Sequence, residues 1–575
     1  MSRWFLVTPF LLLIAGCSAN AASVSCDDTD RAASDEIGQS CEELSLNPDG
    51  WCSDALRRFG RCKMPSTSCA SPLGAAVAKS TWESSHGAGT VPSHLLYTSK
   101  NASFGSFVDA AEIFPEMAKL IADAKSEVLI ETFDWDPSVY SVTAPGADRD
   151  PTLILIEGMR RLENRLKLAG APPAQPVRIY VTIDGRHLLA PPMGGAPAVN
   201  KARSLFRQVQ SFGGFDSRYV ELHVGGHERW GAGGMHSKTI VVDGYVAMVM
   251  GANPQTWQTV GSSWHDSAYG VIGEAGIALA RNIDDTWKES TEVASCDLAK
   301  LDGDAKCVTH AANPVIHVSA SLQPNLDADP RLAGACMPVF TATKRAIGST
   351  LGSLGPNDTS SPQDRAFLAL LQNAKTVLKI ESPNMNGRSA DEAYAAARRG
   401  VSTRVLLTYS FNSATERQGV GPISGGGSNE DTIRALSKKM KLDHAACGHL
   451  DLRYISRDGV RPTPQNEVGA SHVKYLTADG QVGMVGSANQ DMTSWVLTRE
   501  TNLVVDDATA VAGYDARVFD ADWSHSVSAV AFAKQILARG DADIAADATL
   551  QGFLVEPKAW ACDVVTACGT DARCP

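Results

Sequence analysis

One pattern of residues occurs twice in this 575-residue chain, and it constrains the fold more than any other feature. Each copy has a histidine, then a lysine, an aspartate and an asparagine, and the relative spacing is the same in both copies. The first copy is His236, Lys238, Asp243 and Asn253, and the second is His472, Lys474, Asp479 and Asn489. Because matched spacing is hard to produce by chance, it predicts two similar halves.

The residues around each copy predict a β-hairpin. Alternation along a strand that begins at the histidine places His236 and Lys238 on one face, and it does the same for His472 and Lys474. An Asp-Gly pair follows in each copy and precedes a second apolar run, which is the signature of a tight turn between strands.

The repeated side chains suit the chemistry of a phosphodiester. If the two copies face each other, they form a site with two imidazoles, two ammonium groups and two amides. Ammonium and amide groups suit the spread negative charge of a phosphate. Two imidazoles suit covalent catalysis, one as the nucleophile and the other as the general acid.

The duplicated pattern H-x-K-x-x-x-x-D resembles the phospholipase D superfamily, whose motif is called HKD. The resemblance covers roughly residues 104–523. It implies metal-independent phosphodiester chemistry through a phosphohistidine, without a cofactor. By matched position it implies a site of His236, Lys238, Asn253, His472, Lys474 and Asn489. Family precedent favours His236 as the nucleophile, although the near-symmetry of the motifs leaves this assignment open.

Further residues are expected to support the site. The resemblance implies that Asp243 and Asp479 are structural, and that Asp266 and Glu500 stand where the family has a carboxylate that orients a catalytic histidine. Ser487 has no hydroxyl counterpart in the first copy, so a phosphate contact from that position would come from one half only. Glu131 and Glu381 end matched apolar runs and are expected either near the site or as polar strand ends.

The predicted fold class is α/β, with two similar α/β/α sandwich halves meeting at a pseudo-twofold interface, plus a small disulfide-rich N-terminal module. The predicted segments are a signal peptide (1–21), a Cys-rich module (22–72), a linker (73–103), the first half (104–295), a connection (296–359), the second half (360–535) and a Cys-containing tail (536–575).

The N-terminus and the cysteines predict export. An apolar run follows Arg3 and is too short for an ordinary membrane span. The residues ending at Cys17 resemble a bacterial lipobox, which implies a lipoprotein of the outer membrane or periplasm. The alternative is ordinary cleavage after residue 21 and free secretion. Either cleavage leaves an even number of cysteines, which favours disulfides in an exported chain. Zinc is the competing interpretation, but the chain has no paired C-x-x-C spacing.

Composition helps to choose among substrates. The 52 basic and 64 acidic residues give a net charge of −12, which disfavours a broad nucleic-acid surface. Trp264 and Trp495 lie near the motifs in sequence, as do Trp230 and Trp257, and this favours an amphipathic lipid.

We therefore expect a phospholipase D that acts on phospholipid at a membrane surface, with water or an alcohol as acceptor and no nucleic-acid partner. The alternatives are a cardiolipin-synthase-type phosphatidyltransferase and an HKD-type nuclease. We expect activity as a monomer, because both motifs are in one chain. The remaining histidines, including His265, lack a matched partner and are interpreted as ordinary surface or hydrogen-bonding residues.

Overall fold

The structure is a computed structural model. It describes residues 64, 67–85, 89–136, 150–184, 198–227, 234–255, 258, 264–296, 307–311, 324–346, 361–411, 427–553 and 555–575. The predicted signal peptide, Cys17, nearly all of the predicted Cys-rich module, and Trp230 and Trp257 lie outside these residues. Within the described part of the chain, no helix combines the length and the apolar character needed to cross a membrane.

The first half is built on a nine-stranded mixed sheet. Its helices and strands are β2 (Asn101–Val108), α2 (Asp109–Asp123), β3 (Glu127–Thr132), α3 (Pro151–Leu168), β4 (Val177–Asp184), α4 (Ala198–Ser211), β5 (Val220–His227), β6 (Thr239–Val242), β7 (Val246–Met250), β8 (Ser267–Gly273), α5 (Glu274–Lys288), β9 (Ser290–Cys296) and β10 (Cys307–Ala311). The strand order is β10-β9-β5-β4-β3-β6-β7-β8-β2.

The second half is built on another nine-stranded sheet. Its elements are α1 (Pro72–Ser84) and β1 (Tyr97–Thr98) from the N-terminal side, then β11 (Val339–Lys344), α6 (Pro362–Asn373), β12 (Val377–Ser382), α7 (Gly387–Arg398), β13 (Ser402–Leu407), α8 (Asn429–Leu442), β14 (Leu450–Ile455), β15 (Tyr475–Ala478), β16 (Val482–Gly486), β17 (Glu500–Asp506), α9 (Ala508–Arg517), α10 (Phe519–Ser524), β18 (Ser526–Ser528), α11 (Ala529–Ala538), α12 (Asp541–Ala546) and α13 (Pro557–Val565). The strand order is β1-β11-β17-β16-β15-β12-β13-β14-β18.

The two sheets repeat one topology. The order β9-β5-β4-β3-β6-β7-β8-β2 in the first half corresponds to β18-β14-β13-β12-β15-β16-β17-β11 in the second. The registers also correspond, because Glu131 of β3 lies opposite Thr239 and Glu381 of β12 lies opposite Tyr475. The predicted α/β class and the two similar halves are therefore confirmed.

Alternation along the strands separates an outer core from an interface core. In β3, Val128 and Ile130 pack against α2 and α3, whereas Leu129 faces the other half. The interface core joins residues of both halves, such as Val271 and Leu503. Burial of apolar side chains from both sheets in one cluster holds the halves together.

The Asp-Gly turns form as the sequence predicts. Asp243 and Gly244 have φ values of 50° and 76°, and Asp479 and Gly480 have 56° and 64°. Positive φ at both central residues is the geometry of a tight hairpin turn, which Asp and Gly tolerate.

The predicted strands begin later than expected. They start at Thr239 and Tyr475 rather than at His236 and His472. Each histidine and lysine instead lies in the extended segment just before its strand, where the backbone amide of the histidine bonds to the other half.

Much of the segment predicted as a linker belongs to the second half. Residues 72–84 form α1, which begins at the N-cap Ser71, and Val77 and Trp82 of α1 lie in the second half's core. Residues 97 and 98 pair with β11. The small residues that suggested a linker instead allow α1 to pack closely. Gly74, for example, lies against the carboxylate of Asp506.

Two further boundaries differ from the sequence prediction. The connection assigned to 296–359 contains β11, which is a strand of the second sheet. The tail assigned to 536–575 contains α12 and α13, and Trp560 of α13 is buried in the second half's core. Short apolar stretches of this kind have no strong periodicity, and only packing gives them structure.

Three disulfides lie within the described residues, and they join Cys69 to Cys336, Cys447 to Cys568, and Cys562 to Cys574. The first joins the predicted Cys-rich module to the segment that connects the halves, and the second joins the second half to the C-terminal tail. The backbone register also places Cys296 opposite Cys307.

Candidate active site

The segments that carry the two histidines cross between the halves. Met235 pairs with Arg499 in a parallel bridge, and His265 pairs with Ser471 in another. The His236 amide donates to the Arg499 carbonyl at 2.8 Å, and the His472 amide donates to the His265 carbonyl at 2.7 Å. Each motif histidine is therefore fixed to the strand that leads into the other half's carboxylate.

Each histidine is bound by the carboxylate of the opposite half. His236 Nδ1 lies 3.0 Å from Glu500 Oε1 and 3.1 Å from Oε2, and His472 Nδ1 lies 2.8 Å from Asp266 Oδ2. A carboxylate at Nδ1 keeps the proton on that nitrogen and leaves Nε2 available for chemistry. The structure thus brings together four of the sequence-predicted residues and pairs them across the interface.

The two lysines are buried beside the histidines. Lys238 is 1% exposed and Lys474 is 3% exposed, and the ammonium group of each donates to the carbonyl of the histidine two residues before it. Burial lowers the pKa of Lys238 to about 8 and that of Lys474 to about 7. Two desolvated ammonium groups favour the entry of an anion into the site.

Both motif asparagines are buried at the ends of the second hairpin strands. Asn253 Oδ1 accepts a hydrogen bond from Thr132 Oγ1 at 3.3 Å. Asn489 donates through Nδ2 to Asp491 at 3.3 Å, and its Oδ1 has no hydrogen-bond partner among the residues that the structure describes. The matched positions place one amide in each half.

Ser487 contacts the carboxylate of Glu500, which binds His236. Its hydroxyl donates to Glu500 Oε2 and accepts from the Thr501 amide at 3.0 Å. Thr498 also donates to Glu500, at 2.7 Å. These hydrogen bonds fix Glu500 against His236, so the Ser487 hydroxyl supports the carboxylate in place of the phosphate contact considered from the sequence.

The first half has a glycine at the position that matches Ser487, and the reason is steric. A Cβ on Gly251 would lie 2.1 Å from Asp266 Oδ1, so no larger residue fits. Asp266 receives its support elsewhere, from Gln258 Nε2 at 2.9 Å and the Ser267 amide at 2.9 Å. Gln258 was not predicted as a site residue, because nothing in its local pattern connects it with the motifs.

The motif aspartates bind backbone away from the histidines. Asp243 accepts from the amides of Lys125 and Ser126 and from the Ser126 hydroxyl, the last two at 2.8 Å. Asp479 does the same for residues 375–377. Each aspartate therefore fastens its hairpin to the start of the neighbouring strand, which is a structural role.

Glu131 and Glu381 occupy equivalent buried positions behind the histidines, but their partners differ. Glu131 accepts from Thr286 and Asn282 and lies 3.9 Å from the Arg499 guanidinium. Glu381 accepts from Ser471 at 2.7 Å, and burial raises its pKa well above the usual value.

Aromatic rings surround the histidines. Trp264 stacks on His472 with ring centroids 4.8 Å apart, and Phe411 lies 5.9 Å from the same ring. Phe133 meets His236 edge-on at 5.3 Å. Phe133 and Phe411 were not found from the sequence, because each follows a strand as an unremarkable apolar residue.

Trp495 does not belong to the aromatic group. It is 1% exposed and stacks on Phe367 in the second half's core. The prediction that Trp495 contributes to a lipid-binding surface is therefore wrong. A tryptophan that is close to a motif in sequence can point away from it in the fold.

Burial and charge set the protonation states of the site. Burial, with the Lys474 charge, lowers the pKa of His472 to about 3, and burial also lowers that of His236. For Glu500, burial would raise the pKa, but the interaction with His236 and the charge of Lys238 bring it to about 2. At neutral pH these shifts favour neutral imidazoles and an ionised Glu500. A neutral Nε2 is a competent nucleophile.

Comparison with known proteins agrees with this geometry. Residues 367–523 match the family model described as "Cardiolipin synthase, PLD-like domain". No curated protein sequence matches this chain significantly.

Solved structures also show similarity. The phosphatidylserine synthase of Haemophilus influenzae Rd KW20 has a TM-score of 0.47 and 14% identity, covering 75% of this chain and 88% of that one. Nuc, a phospholipase D family member from Salmonella typhimurium, has a TM-score of 0.23 and 13% identity, covering 33% and 96%. The polyphosphate kinase of Porphyromonas gingivalis has a TM-score of 0.34 and 9% identity, covering 70% and 45%.

Two half-sites, each giving a histidine, a lysine and an asparagine, define an enzyme of the phosphodiesterase and phosphatidyltransferase class. Residues 367–523, within the second half, match the PLD-like domain of the family model, and the repeated sheet gives the first half the same topology.

Proposed function

We propose that this protein cleaves phospholipids at a membrane surface and transfers the phosphatidyl group to water or to an alcohol through a phosphohistidine. The observation that carries the proposal is the crossed pairing of His236 with Glu500 and of His472 with Asp266. The pairing leaves the Nε2 atom of each ring available for the reaction.

In the first step, His236 Nε2 attacks phosphorus, and a P–N bond forms as the bond from phosphorus to the head-group oxygen breaks. The leaving oxygen takes the Nε2 proton of His472. Burial and the Lys474 charge lower the pKa of the His472 imidazole. The charge of a bound phosphate offsets the Lys474 charge, so His472 becomes protonated when the substrate binds.

In the second step, His472 takes a proton from water or an alcohol. The oxygen attacks phosphorus and the P–N bond breaks, which regenerates neutral His236. Lys238, Lys474 and the two motif asparagines stabilise the phosphoryl oxygens as their charge increases.

Two features support a lipid substrate, and a third supports activity as a monomer. Rings of Trp264, Phe133 and Phe411 lie against the two histidines and offer apolar surface beside the phosphate position. The net charge of −12 is unfavourable for a nucleic-acid backbone. The site is also complete within one chain, so a monomer is sufficient.

The description of the matched family favours a second candidate, a phosphatidyltransferase of cardiolipin-synthase type. The same phosphohistidine serves both reactions, and only the acceptor differs. A bound lipid alcohol would replace water in the second step.

The test is turnover of mixed phospholipid vesicles in EDTA with added ethanol, followed by mass spectrometry. Phosphatidic acid with phosphatidylethanol would support a metal-independent phosphatidyl-enzyme. Cardiolipin made from phosphatidylglycerol would favour the synthase. Absence of lipid products, with cleavage of short DNA, would refute the lipid substrate. His472→Ala is the inactive control.

We also propose that the protein is exported, and that Cys17 is lipidated. The three disulfides within the described residues support export, since such bonds persist in oxidising compartments. The mass of the mature N-terminus, compared between the wild type and Cys17→Ser, distinguishes a lipoprotein from a freely secreted enzyme.

A further inference from the structure

A second cluster of ionisable side chains lies behind the active site. It contains His265, Glu381 and Asp522, and one ligand atom from each lies within 4.8 Å of the others. His265 comes from the first half, whereas Glu381 and Asp522 come from the second, so the cluster spans the interface. None of the three takes part in the proposed phosphoryl transfer.

Three buried atoms of this cluster make no hydrogen bond of ordinary geometry to the described part of the chain: His265 Nε2, Glu381 Oε2 and Asp522 Oδ2. The first and the third form an ion pair at 2.8 Å. The Glu381 side chain is fully buried, and its other oxygen accepts from Ser471. A buried carboxylate oxygen without a partner is costly.

The other nitrogen of His265 is already fixed. Its Nδ1 lies 2.8 Å from Asp109 Oδ1, and Asp109 has a positive φ of 60°. Asp109 also accepts from the Asp266 amide at 3.1 Å. A carboxylate that holds one imidazole nitrogen, while the other points at two more carboxylates, is the usual arrangement around a metal-binding histidine.

The equivalent place in the first half shows what the cluster lacks. There Arg499 occupies the position of His265, directly before the catalytic carboxylate, and it lies near Glu131 and donates to Asp285 at 2.9 Å. A permanent cation thus neutralises that pocket.

In the pocket that contains His265, the carboxylates of Asp109, Glu381 and Asp522 face a single imidazole. Among the described residues, no lysine or arginine lies within 4.0 Å of these three carboxylates. The negative charge of this pocket therefore has no fixed counterpart of the kind that Arg499 provides in the first half.

We propose that His265, Glu381 and Asp522 bind a divalent cation that clamps the two halves together. One imidazole nitrogen with carboxylate oxygens suits zinc or a similar first-row ion, whereas calcium and magnesium prefer oxygen ligands alone. Zinc bonds of about 2.0–2.2 Å would separate the donor atoms by roughly 3–3.5 Å, which the present cluster reaches with small side-chain movements.

The site is structural, because it lies outside the phosphoryl-transfer step. It acts on the position of His472, whose amide bonds to the His265 carbonyl, and on Ser471, which donates to Glu381. It does not rest on the proposed lipid substrate, and its test does not use turnover.

The test measures metal binding and thermal stability of the full-length protein. The protein is stripped with EDTA, dialysed and titrated with Zn²⁺ alone against a chromophoric chelator. The wild type is expected to bind one zinc that Glu381→Gln and Asp522→Asn bind at least tenfold more weakly. Saturating zinc should raise the melting temperature of the wild type by about 2–4 °C and leave both variants unchanged.

The matched control is Asp520→Asn. It removes the same charge from the same helix, but Asp520 binds Lys379 at 2.7 Å and is not one of the three clustered residues. Asp520→Asn should bind zinc as the wild type does. If Asp522→Asn does not fold, Asp109→Asn replaces it, with an expected loss of about tenfold, because Asp109 would only orient the histidine.

Two results would overturn the proposal. One is zinc binding of equal strength in the wild type, Glu381→Gln and Asp522→Asn. The other is a wild type that binds no zinc while Glu381→Gln melts at the same or a higher temperature. That result would show that Glu381 and Asp522 share a proton in place of a metal.

Discussion

Replacing Glu500 with glutamine tests the crossed arrangement of the active site most directly. The change keeps the shape of the side chain but removes the charge that faces His236 Nδ1 at 3.0 Å. A glutamine amide can also donate to Nδ1, which would move the imidazole proton to Nε2 and block the attack on phosphorus.

The structure gives the size of the effect. Glu500 is fully buried, and its pKa of about 2, against an ordinary 4.5, corresponds to about 3 kcal/mol in favour of the ionised form in this site. If that interaction is lost as His236 develops positive charge, the rate of phosphoenzyme formation should fall about 100-fold.

The assay is single-turnover formation of phosphohistidine, trapped in base and measured by mass spectrometry. The loss should appear in the rate, with vesicle binding unchanged. Ser487→Ala is the matched control, because it removes one hydrogen bond to Glu500 but keeps the charge, and it should cost less than about tenfold. A Glu500→Gln enzyme within threefold of the wild type would refute the reasoning.

Three further predictions follow from the same contacts. His472→Ala should lower turnover of natural phospholipid by about 10³-fold, yet form phosphohistidine from a p-nitrophenyl phosphatidyl ester within tenfold of the wild-type rate, since that leaving group needs no acid; equal losses on both substrates would contradict the assignment of His472 as the acid. Asp479→Ala should destabilise the second half by about 2 kcal/mol, as it removes a charged acceptor of several backbone amides, and Asp479→Asn should lose less in thermal unfolding. His472 has a folded pKa of about 3 against an ordinary 6.5, so the unfolded chain binds its proton first. Its contribution to stability is therefore complete above pH 6.5 and falls towards pH 3, by at most about 1.4 kcal/mol per pH unit. Melting temperatures measured across that range should decline less steeply in His472→Asn, and equal slopes would contradict the low pKa.

Local chemistry determined much of the fold in advance. The Asp-Gly turns follow from backbone conformations that those two residues tolerate, and the repeated spacing required two similar hairpins. The matched runs that end in Glu131 and Glu381 became equivalent strands for the same reason. These features depend on residues close together in the chain, so the sequence contains them.

Only the tertiary structure decided which side chains meet. The position of Asp266 after His236 is equally compatible with a bond to that histidine, but packing of the two halves places it on His472. The same packing turned His265, an unmatched histidine, into part of a buried cluster between the halves. Contacts between residues far apart in sequence depend on how two sheets pack, and no local spacing rule encodes that arrangement.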